Sequence, residues 1–328
     1  MRAQTRNPFI DYARYFFAFL VVCIHVPLAH GGTLWMPLAR CAVPFFYLVT
    51  GYYLGRSICN SQADSKMKIA CNKWFHLWVK YIITFLIISL LLDIIFTQLE
   101  RWTITDTKFL LINGIMPFID EHTWDGKVYG ISTLWFLYCG WLALCVLYAL
   151  HKYIFSKWLL AVVIMLQIAL AFAVYKEKTN WLFFYSSLPF LIYGIWIAKI
   201  QKEIHLLSKH IKCLALITFL IFLIGVIEMR INKDVVFTNI PLSICIFLLL
   251  TWGVDTSKRL QGIVLPPPIS HIFTLDIYIW HRLVYYIMKI MGMEMHGFDA
   301  IAVFLITLAL AVGIRRSFKY LSNLTIRQ

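Results

Sequence analysis

The chain has 328 residues, of which 61% are hydrophobic, with a mean hydropathy of +0.76 and a formal net charge of +14. An apolar fraction so far above that of soluble domains excludes a water-soluble enzyme and points to an all-α, polytopic integral membrane protein. Apolar stretches able to cross a hydrocarbon core of about 30 Å recur from end to end. Ten spans are predicted, near residues 9–29, 36–55, 74–97, 131–151, 157–175, 181–199, 212–230, 235–252, 269–291 and 299–320. Residues 107–119 are apolar but short, and carry Asn113, Gly114 and Pro117. They read as a re-entrant or interfacial piece within an extracytoplasmic loop over 98–130. Residues 1–328 otherwise read as a single membrane domain.

The basic residues give the spans a direction. With a cytoplasmic N-terminus, and basic residues near span ends counted with the adjoining loops, the inside loops and termini hold 18 Lys or Arg, the outside loops 8, and the span interiors 4. Acidic residues fall the other way, 3 inside and 9 outside. This is the positive-inside pattern with both termini cytoplasmic. The positive charge is therefore topological, and no nucleic-acid partner is inferred. The first apolar run contains Asp11 and Arg14 and lacks a small-residue cleavage site, so no cleavable signal peptide is expected. The eight cysteines are scattered with no CxxC pair and read as small buried hydrophobes; no metal site is expected.

Ionisable groups inside spans cost about 2.5–3.5 kcal/mol by insertion scales, so those that persist need a reason. Arg14 and His25 stand in the first span, eleven residues apart. At 100° per residue they share one helix face, separated by about 16 Å along the axis. By height, His25, Arg40, Glu228 and His281 form an outer group that could converge on one site. Asp11, Arg14 and Lys80 form a lower, cytoplasmic-side group. Plainer readings exist for each. Arg14 can pair with Asp11 at i and i+3, His281 can simply bond a neighbouring helix, and Asp93 can be interfacial. Arg282 can snorkel or pair with Asp276 and is assigned no role. Trp and Tyr at span ends are mostly interface anchors.

The pattern of Arg14, ten residues, then His25 (RYFFAFLVVCIH) resembles the acyltransferase-3 family of multi-span membrane acyltransferases. So does the second span, with Arg40 followed by FFYLVTGYYL at 45–54, although Thr50 stands where the family commonly has Ser. LWFL at 134–137 matches a family motif, but Thr133 replaces the His that often precedes it. Glu228 late in span seven and Tyr278 with His281 in span nine also fit, so the resemblance runs over nearly the full chain. It implies transfer of an acyl group, usually acetyl, from cytoplasmic acetyl-CoA to a hydroxyl of a cell-envelope carbohydrate or lipid-linked sugar. A bacterial inner membrane is implied as the location. The chain resembles the short stand-alone form, similar to the membrane domain of vancomycin-resistance-type serine racemases, and no permanently bound cofactor is expected.

The resemblance maps Arg14 to an acyl-CoA contact and His25 to the catalytic residue. Lys73 and Lys80, with Lys66 and Lys68, crowd the cytoplasmic side, where they can bind the phosphates of the donor; ordinary positive-inside charge accounts equally well for the three loop lysines. His25 can act as general base on the acceptor hydroxyl, a contribution of about 10²–10⁴ in rate, or form a covalent acetyl-His. Glu228 can fix the imidazole tautomer as a third triad member does, and Arg40 or another donor can stabilise the oxyanion. Trp135, Tyr278 and His281 are expected on the acceptor side. Two other classes compete. A secondary transporter of a small polar substrate such as an amino acid would also place His, Glu and Arg within spans, and a regulatory subunit would need no Arg14–His25 pair.

Overall fold

The structure, a computed structural model, describes residues 7–26, 32–59, 63–98, 131–177, 187–201, 210–232, 236–256, 272–293 and 297–325. These residues form eleven α-helices and no strand. They are α1 (Pro8–His25), α2 (Gly32–Arg40), α3 (Ala42–Cys59), α4 (Ala63–Gln98), α5 (Trp135–Ala149), α6 (Lys157–Glu177), α7 (Leu188–Lys199), α8 (Ile211–Asn232), α9 (Asn239–Thr256), α10 (Ile272–Ile290) and α11 (Asp299–Thr325). A 3-10 turn, Ile131–Leu134, leads into α5. Pro8–His25, Leu34–Cys59 and Ile211–Ile231 are long and apolar enough to cross a membrane; the apolar helices at Trp135–Ala149, Lys157–Phe172, Leu188–Lys199, Asn239–Thr251 and Asp299–Ile314 are shorter. The proposed re-entrant piece at 107–119 and the rest of the loop 99–130 lie outside the described residues.

One sequence expectation is refined and another corrected. The second span, within Leu34–Cys59, carries a one-residue break at Cys41, between α2 and α3. Pro44 lacks the amide that would bond the Arg40 carbonyl, and its ring crowds that carbonyl. The Cys41 amide turns to the Leu38 carbonyl instead, and the Cys41 thiol donates to the Pro37 carbonyl at 3.1 Å. The third span is only part of α4, whose 36 residues make a rod of about 54 Å. Lys66, Lys68 and Lys73 therefore stand on a helix rather than in a loop.

The core is set by how closely α3 and α7 approach. Gly51 and Gly55 on α3 are four residues apart, as in small-xxx-small packing. A Cβ on Gly51 would strike the Leu191 carbonyl, one on Gly194 would strike the Leu48 carbonyl, and one on Gly55 would come within 2.8 Å of the Ile195 Cα. Thr50, beside them, merely bonds the Phe46 carbonyl of its own helix at 2.9 Å, so the Ser-to-Thr departure leaves α3 undisturbed. α5 lies on α4, where the Trp74 ring fills the space above Gly140. The Tyr47 hydroxyl ties α3 to α5 by donating to the Phe136 carbonyl at 2.8 Å. α6 and α8 turn apolar side chains outward, among them Val162, Met165, Phe172, Phe219, Leu220 and Ile224. Exposure of that kind is consistent with a lipid solvent.

Candidate functional site

α1 starts cleanly because Asn7 caps it, its side chain accepting from the Phe9 amide at 3.0 Å. The helix then runs unbroken to His25, so the sequence spacing holds in three dimensions. Arg14, Ala18, Val22 and His25 fall within about 80° on the helix wheel. Ala18 and Val22 are buried against Ile277, Val284 and Met288 of α10 and against Ala300 and Val303 of α11. On α10, Ile277, His281, Val284 and Met288 follow the same helical stripe. Each helix thus brings a histidine to an otherwise apolar seam, and the seam brings the two rings together.

The His25 and His281 rings are stacked, with centroids 5.3 Å apart and planes at 30°. Their surroundings differ. His281 is fully buried, and its Nδ1 lies 2.7 Å from the Tyr278 carbonyl and 3.2 Å from the Ile277 carbonyl. Carbonyls only accept, so Nδ1 carries the proton and Nε2 presents a lone pair. That Nε2 is buried with no hydrogen-bond partner among the described residues. His25, by contrast, is an exposed residue. It ends α1, and among the described residues neither of its ring nitrogens is held by a hydrogen bond.

The charges around His25 are one-signed. Arg40 and Arg282, both half-buried, act electrostatically on its ring together with His281, and no carboxylate does so among the described residues. Arg40 reaches this position because α2 ends there, at the break before α3. Two guanidiniums beside an open imidazole favour any negative charge that develops next to it. Arg282 was given no role from sequence; the signal was its adjacency to His281 within an apolar run.

Glu228 does not join this cluster. Its carboxylate accepts from the amides of Val236 at 2.9 Å, Phe237 at 2.8 Å and Thr238 at 3.0 Å, and from the Thr238 hydroxyl. It clamps the turn that leads into α9, where an anion also complements the helix N-terminus. The tautomer-fixing contact expected of Glu228 is not made here: its carboxylate bonds the turn, and it makes no hydrogen bond to His25 among the described residues.

The remaining expected residues separate into two groups. Arg14 pairs with Asp11 at 3.1 Å, as the i and i+3 spacing allowed, and lies over the Tyr53 ring at 5.6 Å. Lys73 and Lys80 are exposed on α4, with Lys66 a further turn pair below. Seven-residue spacings drift only about 20° each, so the three form one basic stripe. Tyr278 is buried in an aromatic box with Phe136 at 4.9 Å and Phe46 at 6.2 Å, and its ring meets His281 edge-on at 6.2 Å. Thr133 donates to the Ile279 carbonyl at 3.0 Å, so the residue at the family's His position still braces the α10 segment that carries His281. Trp135 packs, half-buried, against the core and touches neither histidine among the described residues. Asp276 accepts from the Tyr81 hydroxyl. No cluster of three metal-ligating side chains occurs among the described residues.

The described residues form an all-helical body that turns apolar side chains outward, as in a membrane protein, and within it His25, His281, Arg40 and Arg282 come together. The chain belongs to the acyltransferase-3 family: the model of that family's acyltransferase domain matches residues 7–316. No curated protein and no solved structure matches the chain.

Proposed function

We propose that this protein is a membrane-bound O-acyltransferase that moves an acetyl or similar acyl group from cytoplasmic acyl-CoA to a hydroxyl of a cell-envelope carbohydrate or lipid-linked sugar, in a bacterial inner membrane. The observation that carries the reading is the His25 side chain: exposed at the end of α1, making no hydrogen bond among the described residues, and acted on electrostatically by Arg40 and Arg282. A ring held only to pack helices would be buried and hydrogen-bonded, as His281 is on its Nδ1 side. Family membership supplies the reaction class.

In this mechanism the donor's phosphates lie at the cytoplasmic mouth, where the stripe of Lys66, Lys73 and Lys80 offers point charges. The pantetheine arm runs upward past Arg14, over the roughly 16 Å that separates Arg14 from His25 along α1. His25 takes the proton of the acceptor hydroxyl as its oxygen attacks the thioester carbonyl carbon. The tetrahedral oxyanion forms beside Arg40 and Arg282. The C–S bond then breaks, the ester is released, and the departing thiolate recovers the proton from the imidazolium. The test is His25→Ala in a strain whose envelope glycans are read by mass spectrometry. Acylated glycan disappears while the amount of protein in the membrane is unchanged; full acylation in the variant would overturn the proposal.

A further inference from the structure

With Glu228 committed to the turn before α9, the base proposed for acyl transfer lacks the acceptor that usually fixes an imidazole's tautomer. The structure supplies another. His281 Nε2 is a buried lone pair with no donor among the described residues, and its tautomer is set by the Tyr278 and Ile277 carbonyls on the far side of the ring. A buried acceptor left empty is unfavourable by about 1–3 kcal/mol, so its persistence beside a ring that makes no hydrogen bond among the described residues is informative. That ring is His25. The ring centres are 5.3 Å apart. A linear N–H···N bond of about 2.9 Å between two imidazole edges also sets their centres about 5 Å apart. The separation already suits the bond; only the ring planes do not. His25 is exposed at the end of its helix, where side-chain rotations are fast, whereas the His281 ring is fixed by packing and by two carbonyls.

We propose that His281 is the positioning residue for His25: in the reacting complex the His25 edge turns onto His281, and His25 N–H donates to His281 Nε2. The proton order is then complete. Backbone carbonyls hold the His281 Nδ1 proton, His281 Nε2 holds the His25 proton, and the second His25 nitrogen faces the acceptor hydroxyl as a lone pair. When that nitrogen takes the hydroxyl proton, the imidazolium keeps its bond to His281 and stays oriented. No proton passes to His281, which acts only as acceptor. A neutral acceptor suits this place, because a carboxylate there would pair with Arg40 and Arg282 and cancel the charge they offer to the oxyanion.

This inference rests on His25 being the base, so the experiment measures both. Purified His25→Ala, His281→Phe and His281→Gln proteins are assayed for CoA release from acetyl-CoA with a detergent extract of envelope glycans and lipid-linked sugars, alongside the parent. His281→Phe keeps an aromatic ring but removes the acceptor, so kcat falls about 10- to 100-fold, the range seen when an orienting partner is lost, with KM for the donor unchanged. His281→Gln restores an acceptor oxygen and recovers most of the loss. Should the Phe variant not fold, the near-isosteric pair His281→Gln and His281→Leu decides: a faster Gln enzyme supports the inference and equal rates overturn it. An inactive His25→Ala with an unimpaired His281→Phe overturns the positioning role alone. An active His25→Ala overturns the mechanism beneath it.

Discussion

Glu228 offers the sharpest separation of a structural from a catalytic carboxylate. Its Oε1 accepts from the Val236 and Phe237 amides, and its Oε2 from the Thr238 amide and hydroxyl. Glu228→Gln keeps one acceptor oxygen but puts an NH2 where the other stood, facing a backbone amide that is itself a donor. One backbone bond is lost, the Thr238 hydroxyl can rotate to accept, and the two bonds that survive lose their charge assistance. Bonds to a charged acceptor contribute about 1.5–3 kcal/mol and those to a neutral one about 1. The turn is therefore weakened by roughly 2.5–7 kcal/mol. Unfolding entropies of about 2.1 cal/mol/K per residue, taken over 328 residues, make each kcal/mol worth about 1.5 °C in Tm. Differential scanning fluorimetry in detergent should show Tm lowered by about 4–10 °C, while kcat per folded molecule stays close to that of the parent. An unshifted Tm with activity reduced a hundredfold or more, on the scale of a lost triad member, would refute the clamp and restore Glu228 to the reaction.

Gly194→Ala places a methyl group against the Leu48 carbonyl, a backbone atom that cannot swing aside. Overpacking of this kind is destabilising by about 1–3 kcal/mol, read as a lower Tm and a smaller monodisperse fraction in size-exclusion chromatography. Arg282→Ala should lower kcat by about 10²-fold, on the scale of one lost oxyanion donor, with the donor KM little changed; an undiminished kcat would remove Arg282 from the site. Lys73→Gln together with Lys80→Gln should raise the donor KM several-fold and flatten its salt dependence, since exposed charges act over about 10 Å at 0.1 M salt. A donor KM equal to the parent's at low salt would make the stripe ordinary positive-inside charge.

What the sequence conveyed, and what it withheld, follows from the two coordinates that place a residue on a helix. Height can be counted along the chain. The helices and the run from Arg14 to His25 were legible because apolar length and a 100° step are local properties. Height also put Arg40, Glu228 and His281 level with His25; in the structure His281 stacks on the His25 ring and Arg40 acts on it electrostatically, while Glu228 bonds the turn at Val236–Thr238. Azimuth is the other coordinate, and it depends on which face of each helix its neighbours bury. His281 meets His25 because it falls on the stripe of Ile277, Val284 and Met288 that packs on Ala18 and Val22. Glu228 sits on α8, which turns Ile224, Ile227 and Ile231 outward; its buried edge faces the turn eight to ten residues further along the chain, so it closes a local loop instead. Arg40 arrives by a third route, the break that Pro44 imposes on its carbonyl, which was readable from the proline but masked by the apolar run around it. Convergence in a helical membrane protein is thus decided by seams. A titratable residue flanked at i±3 and i±4 by buried small or branched side chains is a better site candidate than one chosen by depth alone, and on that criterion His25 and His281 are selected while Glu228 is passed over.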